Sequence, residues 1–271
     1  MRRMLSRLEA VFCRLFRRCG AQGERAPRGY RSPRELFEGE HIGGVGALHR
    51  TLLWDDCEPP GQMGRICAVR RRIGKSPVFL WNAQWAERLV RQSGLEFYFD
   101  YPRDIMRADL IRYLILDRFG GFYLDFDVRL HAPLSSFERV VGTGEEYCLL
   151  FEEHRWSPGE GIDESREPIR HFLEERYRRE APVRVANYAM AATPGHPFIR
   201  RVLEECRRRA HLRPRSDYDV LFITGPDVVS HVYHTADPAF LAENNVRLIP
   251  LEKRSGFLSH YCDGTWRQGR R

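Results

Sequence analysis

Two aspartates and a tyrosine alternate with apolar residues in the segment FYLDFDV, which ends at Val128. Strict alternation predicts a β-strand on which Tyr123, Asp125 and Asp127 share one face while the apolar side chains share the other. Two neighbouring carboxylates repel each other unless a positive charge lies between or above them. Carboxylate oxygens suit Mg²⁺ or Mn²⁺, which usually complete their coordination with phosphate oxygens and water. The segment therefore predicts a divalent-metal site that receives a diphosphate.

A predicted helix and a glycine turn precede this strand. Apolar residues recur at helical spacing over residues 104–118, and Gly120 and Gly121 follow, where glycine can end a helix in the left-handed conformation. Asp109 and Arg112 lie three residues apart and therefore share one face of the helix. On spacing alone an ordinary surface ion pair is the simpler interpretation, and a bare D-x-D occurs in many unrelated chains. The combination of helix, glycine turn and acidic strand in one run of residues is what indicates a site.

The run RADLIRYLILDRFGGFYLDFDV resembles the central block of the DXD-containing glycosyltransferases of family 32, approximately DLxRYxxLxxxGGxYxDxD. This family includes mannosyl- and galactosyltransferases related in fold to the clostridial glucosylating toxins. The resemblance implies that Asp109 and Arg112 contact the donor sugar. It also implies that Asp125 reaches ribose and sugar hydroxyls and that Asp127 binds the metal. The matching positions are Asp109, Leu110, Arg112, Tyr113, Leu116, Gly120, Gly121, Tyr123, Asp125 and Asp127.

Weaker similarities extend the resemblance along the chain. Residues 48–51 (LHRT) are similar to the family's first strand, residues 186–203 to its stretch around PGHP, and residues 224–229 to its TGP turn. Residues 259–266 (SHYCDGTW) are similar to HxxxGSW, which implies that His260 joins Asp125 and Asp127 as a metal ligand. The resemblance further implies donor-binding positions at Tyr123, His49, Thr51, Asn187, Thr265 and Trp266.

Short apolar segments alternate with helical patterns, which is typical of an α/β fold. The resemblance implies a GT-A type nucleotide-sugar-binding fold, with a central mixed sheet flanked by helices. Residues 1–34 are predicted to form a short basic amphipathic helix and a flexible linker rich in Gly, Pro and Arg. Residues 35–271 are predicted to form the catalytic domain.

Composition and targeting signals narrow the classes of protein. The net charge is +7 and Lys75 and Lys253 are the only lysines, so arginine supplies nearly all of the positive charge. Arginine can bind phosphates, or it can fill an ordinary surface in a chain from a GC-rich genome. The 7 cysteines form no C-x-x-C pair, which argues against a zinc site. No signal peptide and no apolar run of roughly 20 residues is present, so we expect a cytoplasmic protein. The basic helix over residues 1–18 can lie on an anionic membrane or pack against the domain.

The resemblance, together with the acidic segment, implies a metal-dependent retaining glycosyltransferase that uses Mn²⁺ or Mg²⁺. It would transfer a hexose from a UDP- or GDP-linked sugar to a hydroxyl of a glycan, lipid or protein acceptor. Two alternatives from other classes are a basic nucleic-acid-binding protein and a metal-dependent phosphodiesterase that uses the same acids. The first depends on arginine content alone, without a recognisable nucleic-acid-binding pattern, so we expect no nucleic-acid partner.

Overall fold

The computed structural model describes residues 30–38, 48–51, 72–73, 76–141, 146–155 and 183–261. The predicted N-terminal basic helix, Thr265 and Trp266 lie outside the described residues. Within the part of the chain that is described, no helix has both the length and the apolar character needed to cross a bilayer.

A mixed β-sheet forms the centre of the described residues. The strands follow the order β2-β1-β3-β7-β5-β6, and β8 pairs with β5 as well. β1 is parallel to β2 and β3, and β8 is parallel to β5, whereas the other pairs are antiparallel. Two further strands, β4 and β9, pair antiparallel outside this sheet. The strands are β1 (Leu48–Thr51), β2 (Val78–Trp81), β3 (Gly121–Leu124), β4 (Val128–Leu130), β5 (Cys148–Arg155), β6 (Val183–Val185), β7 (Ala189–Ala192), β8 (Val246–Ile249) and β9 (Leu258–His260).

Helices cover both faces of the sheet. Alternate residues of β3 enter different apolar clusters, since Tyr123 belongs to one and Phe122 and Leu124 to the other. This confirms the predicted α/β architecture with a central mixed sheet flanked by helices. The helices are α1 (Arg34–Phe37), α2 (Ala83–Ser93), α3 (Asp104–Phe119), α4 (Ser135–Val141), α5 (Pro197–Arg209), α6 (Asp217–Ile223), α7 (Pro226–Thr235), α8 (Pro238–Glu243) and α9 (Leu251–Phe257), with a 3-10 helix at Glu96–Asp100.

Helix α3 is buried through its middle, and all residues from Ala108 to Leu116 are buried. It lies between the sheet and helices α2 and α5, so the middle of the helix has no face exposed to solvent. This burial overturns the interpretation of Asp109 and Arg112 as a surface ion pair, because their side chains are only 5% and 3% exposed.

Candidate active site

The junction between α3 and β3 requires a glycine. Gly120 has a φ of 64°, in the left-handed region, and its N–H donates to the carbonyl of Leu116 at 2.9 Å. A Cβ at this position would lie 2.6 Å from Cδ of Pro194 and 2.9 Å from the carbonyl oxygen of Ala192. The close approach holds the end of α3 against β7 and fixes where β3 begins.

The predicted continuous strand over residues 122–128 is wrong, because β3 ends at Leu124. Asp125 and Asp127 lie in a turn, in which the N–H of Val128 donates to the carbonyl of Asp125 at 3.2 Å. The partner strand β7 begins at Ala189, so regular pairing stops there and the chain crosses to β4. The two acids therefore do not share the face of a strand. Instead, the turn presents both of them to one cavity.

This cavity has a volume of about 200 Å³ and lies between α3, the acidic turn and the carboxyl-side ends of several strands. It brings together residues that are far apart in the sequence. Six residues proposed from the sequence line it: Asp109, Arg112, Asp125, Asp127, Asn187 and His260. Tyr123, His49 and Thr51 do not line it.

Arg112 connects the two acidic segments. Its Nη2 lies 2.9 Å from Oδ1 of Asp109, and its Nη1 lies 3.3 Å from Oδ2 of Asp125. Nη1 also donates to the backbone carbonyl of Asn187 at 3.0 Å. Burial lowers the pKa of Arg112, but the charges of Asp125 and Asp109 outweigh it and the net shift is upward. The guanidinium is therefore a permanent, fixed positive charge at the wall of the cavity.

Both carboxylate oxygens of Asp109 accept hydrogen bonds. Its Oδ1 also accepts from Nδ2 of Asn187 at 2.9 Å, and its Oδ2 accepts from Oγ1 of Thr224 at 2.9 Å. Burial raises the pKa of Asp109 to about 6, against the opposing effect of Arg112 and of the two hydrogen-bond donors. At neutral pH the carboxylate is ionised and it positions Arg112, Asn187 and Thr224. Thr224 was not among the predicted site residues, although the TGP pattern marked its segment.

A chain of hydroxyl groups orients Asp125 from behind the cavity. Tyr123 donates its phenol proton to Oδ1 of Asp125 at 2.8 Å, and Oγ1 of Thr51 lies 2.6 Å from the same phenol oxygen. Burial raises the pKa of Tyr123 well above its usual value, so the phenol keeps its proton. Burial also raises the pKa of Asp125, with Arg112 opposing the shift. Thr51 and Tyr123 thus act on the cavity through Asp125.

Asp127 and His260 form the second pair at the cavity. Nε2 of His260 lies 3.1 Å from Oδ2 of Asp127, and the imidazole stacks on the ring of Tyr188 with 3.9 Å between the centroids. Burial lowers the pKa of His260, but the hydrogen bond and charge of Asp127 outweigh it, so the net shift is upward. The pairing links the acidic turn to β9, which follows it by more than a hundred residues.

The carboxylates at the cavity fit a metal site in which other coordination positions stay available to water and a ligand. Among the described residues, no group of three His, Cys, Asp or Glu side chains is arranged to hold a metal ion. Mg²⁺ is usually held by one or two carboxylates, with water and substrate phosphates completing the shell, and Mn²⁺ accepts the same oxygen ligands. Asp125 and Asp127 can supply those carboxylates.

The structure places His49 away from the cavity. The side chain is fully buried, its Nδ1 accepts a hydrogen bond from Nε1 of Trp81 at 3.2 Å, and its ring stacks on Phe79. Burial lowers the pKa of His49 to about 3. His49 is thus a neutral core residue that braces β1 against β2, and its position does not support the predicted contact with the donor.

Two charged residues at the cavity were not predicted from the sequence. Glu153 lies on β5 and Arg184 on β6, and both line the cavity. Nε of Arg184 donates to Oδ1 of Asp227 at 2.9 Å. No local pattern in the sequence sets Glu153 apart from the other acids nearby.

Comparisons with known proteins connect this cavity to a family. The model of the glycosyltransferase sugar-binding region containing the DXD motif matches residues 62–147, which include α3, the glycine turn and the acidic turn. Inositol phosphoceramide mannosyltransferase 3 of Schizosaccharomyces pombe is 28% identical over 136 residues, covering 50% of this chain and 29% of that protein. Inositol phosphoceramide mannosyltransferase 2 of the same yeast is 26% identical over 193 residues, covering 69% and 45%.

A solved structure is also similar in part. The PaToxG glycosyltransferase has a TM-score of 0.47 and 13% identity, covering 73% of this chain and 72% of that one. The alignments with the two yeast proteins span less than half of their lengths. The region similar to the glycosyltransferase sugar-binding model thus contains the acid and arginine of α3 as well as both acids of the turn.

Proposed function

We propose that this chain is a metal-dependent retaining glycosyltransferase of the GT-A type. It transfers a hexose from a UDP- or GDP-linked sugar to a hydroxyl group of a glycan, lipid or protein. The observation that carries this proposal is the convergence of Asp109, Arg112, Asp125 and Asp127 on one cavity. Two acids beside a buried, permanently charged arginine suit a ligand that carries both hydroxyl groups and a metal-bound diphosphate.

In this proposal some residues bind the metal ion and others position the sugar. A divalent cation, Mn²⁺ or Mg²⁺, would neutralise the departing diphosphate as a Lewis acid. Asp127 and Asp125 would hold it through carboxylate oxygens, and His260 would either join them or orient Asp127 through their hydrogen bond. Arg112 would bind sugar hydroxyls, with its guanidinium fixed by Asp109 in advance of binding. The acceptor hydroxyl would attack on the face that the diphosphate leaves, which retains the anomeric configuration.

The names of the relatives favour one donor sugar and one kind of acceptor. Both yeast proteins are mannosyltransferases, and their names identify inositol phosphoceramide as the acceptor. We therefore propose mannose as the first hexose to test, and a lipid-linked polyol as the first acceptor class. Contact of the N-terminal basic helix with a membrane would suit such an acceptor.

The decisive experiment measures sugar release from a panel of UDP- and GDP-sugars, with Mn²⁺ and with EDTA. We expect slow release of free sugar and nucleoside diphosphate that requires the metal, and a loss of about 100-fold or more in Asp127→Asn. The matched control is Asp117→Asn on α3, whose side chain pairs with Arg200 outside the cavity.

Other products or conditions of release would contradict the proposal. Release of sugar phosphate and nucleoside monophosphate would identify a phosphodiesterase instead. No release from any donor would refute the proposal, and release that persists in EDTA would refute its metal dependence.

A further inference from the structure

Glu153 differs from the other acids at the cavity. It lines the cavity, yet its Oε2 is sealed from solvent and accepts no hydrogen bond within the described part of the chain. Asp109, Asp125 and Asp127 all have partners in the same site. Burial raises the pKa of Glu153, with Arg184 opposing the shift. A buried oxygen without a donor is costly, so this carboxyl group is suited to a hydrogen bond that a ligand supplies.

The position of Glu153 in the sheet separates it from the residues assigned to the donor. Strand β7 lies between β3, which precedes the acidic turn, and β5, which carries Glu153. Strand β1, which supplies Thr51 to the network behind Asp125, lies on the opposite side of β3. The charge of Glu153 also acts on His260 of β9, which lines the same cavity. None of the proposed donor contacts uses Glu153, which lies two strands away from the strand that leads into the acidic turn.

The charges around Glu153 favour a neutral donor group. Nη1 of Arg254 donates to the backbone carbonyl of Glu153 at 2.9 Å, and the charge of Arg184 also acts on its carboxyl group. An ammonium ligand would meet two guanidinium groups there, whereas a hydroxyl group brings no charge. We infer that Glu153 binds the acceptor, with its carboxyl group accepting a hydrogen bond from a hydroxyl of a sugar or polyol. This inference rests on the proposed glycosyltransferase function and extends it to the acceptor side of the site.

The test compares transfer with hydrolysis in the same reaction. Parent protein, Glu153→Gln and Glu153→Met receive a nucleotide sugar that the parent hydrolyses, with myo-inositol, glycerol or methyl α-mannoside as acceptor probes. The ratio of transferred to hydrolysed sugar should fall by about tenfold or more in Glu153→Met, as expected for the loss of a hydrogen bond to a charged group. Glu153→Gln keeps an acceptor oxygen without the charge and should lie between the two. The matched control is Glu252→Met, whose side chain is 66% exposed and does not line the cavity.

Stability provides the readout that separates binding from a structural role. Since Oε2 has no partner to lose, Glu153→Met should unfold at the same temperature as the parent or higher. A lower unfolding temperature with a parental transfer ratio would make Glu153 a structural acid and overturn the inference.

Further outcomes distinguish this inference from the function on which it rests. A parental ratio in Glu153→Met, or hydrolysis by the parent without transfer to any polyol probe, would overturn the inference and leave the proposed function intact. A glycosyl adduct on Glu153 in mass spectrometry would make it a nucleophile instead of an acceptor-binding residue. If the parent released no sugar from any donor, both the inference and the proposed glycosyltransferase function would be refuted.

Discussion

Helices α3 and α5 each carry an acid three residues before an arginine, and the two pairs have different surroundings. On α3, Asp109 and Arg112 are both buried, and Arg112 extends to Asp125 in the acidic turn. On α5, Glu205 is buried and pairs with Arg208 and Arg209 of the same helix. Only the α3 pair lines the cavity. The same local pattern therefore borders the cavity in one helix and serves packing in the other.

The electrostatics of the two acids follow from this difference. Burial raises the pKa of Glu205, but Arg208 and Arg209 outweigh it and the net shift is downward. Asp109 shares Arg112 with Asp125, and burial prevails, so its pKa rises to about 6. The α5 cluster pairs its acid with arginines of the same helix, whereas Arg112 is shared and joins two segments at the wall of the cavity.

The largest expected effect comes from the same substitution in both clusters. Arg112→Lys keeps the charge but loses the fork that spans Asp109 and Asp125, so sugar release should fall by about 100-fold. Arg209→Lys should keep the parental rate per folded molecule, because Arg209 bonds to Glu205 and to the carbonyl of Phe222, away from the cavity. Steady-state rates, normalised to folded protein by circular dichroism, test this. Equal losses in both variants would erase the distinction between the clusters.

The second effect is on stability in the α5 cluster. Glu205→Gln leaves the buried Arg209 without its ionic partner, and breaking a buried pair in this way should lower the free energy of unfolding by about 3 kcal/mol. Urea unfolding measures the change. A loss below about 1 kcal/mol would show that the cluster is not the packing element described above, and Glu204→Gln on the exposed side of α5 is the control.

Acid should destabilise the sheet through His49. The folded-state pKa of His49 is about 3, whereas the unfolded imidazole titrates near 6.5, so the unfolded chain takes up the proton first as pH falls. The contribution of neutral His49 is complete above pH 6.5 and is lost progressively towards pH 3. At about 1.4 kcal/mol per pH unit, the loss between pH 6.5 and 5 is about 2 kcal/mol. Urea unfolding of the parent and of His49→Gln at both pH values checks this, because the variant should lack that part of the slope.

The smallest expected effect comes from the exposed arginine of the α5 cluster, Arg208, in contrast to the buried Arg209. Arg208 is 64% exposed although it also pairs with Glu205. Arg208→Ala should therefore change the free energy of unfolding by about 0.5 kcal/mol. A loss as large as that of Glu205→Gln in the same urea experiment would mean that the Arg208–Glu205 pair supplies most of the stabilisation by the cluster.

Local sequence patterns predicted the parts of the fold that depend on neighbours in the chain. The strands at β1 and β2, helix α3 and the glycine turn have short-range signals of periodicity and of glycine conformation. The strand predicted through Asp125 and Asp127 failed because alternation cannot show where the partner strand β7 begins.

The candidate site divides in the same way. Asp109, Arg112, Asp125 and Asp127 lie within 19 consecutive positions, so their spacing and their resemblance to a family identified them together. Glu153 reaches the same cavity from β5 without any local pattern that marks it, and Thr224 at the end of α6 bonds to Asp109, a contact that the TGP pattern of its segment did not indicate.

The sequence by itself determined which residues can share a helix face or a turn, because those relations depend only on the local geometry of the backbone. It could not distinguish the acid and arginine of α3 from those of α5. That distinction depends on what packs over each helix: the acidic turn and Asn187 meet Arg112, whereas Glu205 of α5 pairs with arginines of its own helix. Burial and solvent access are properties of the assembled layers, so only the tertiary structure decided which pair borders the cavity and which acid is left with an unused oxygen there.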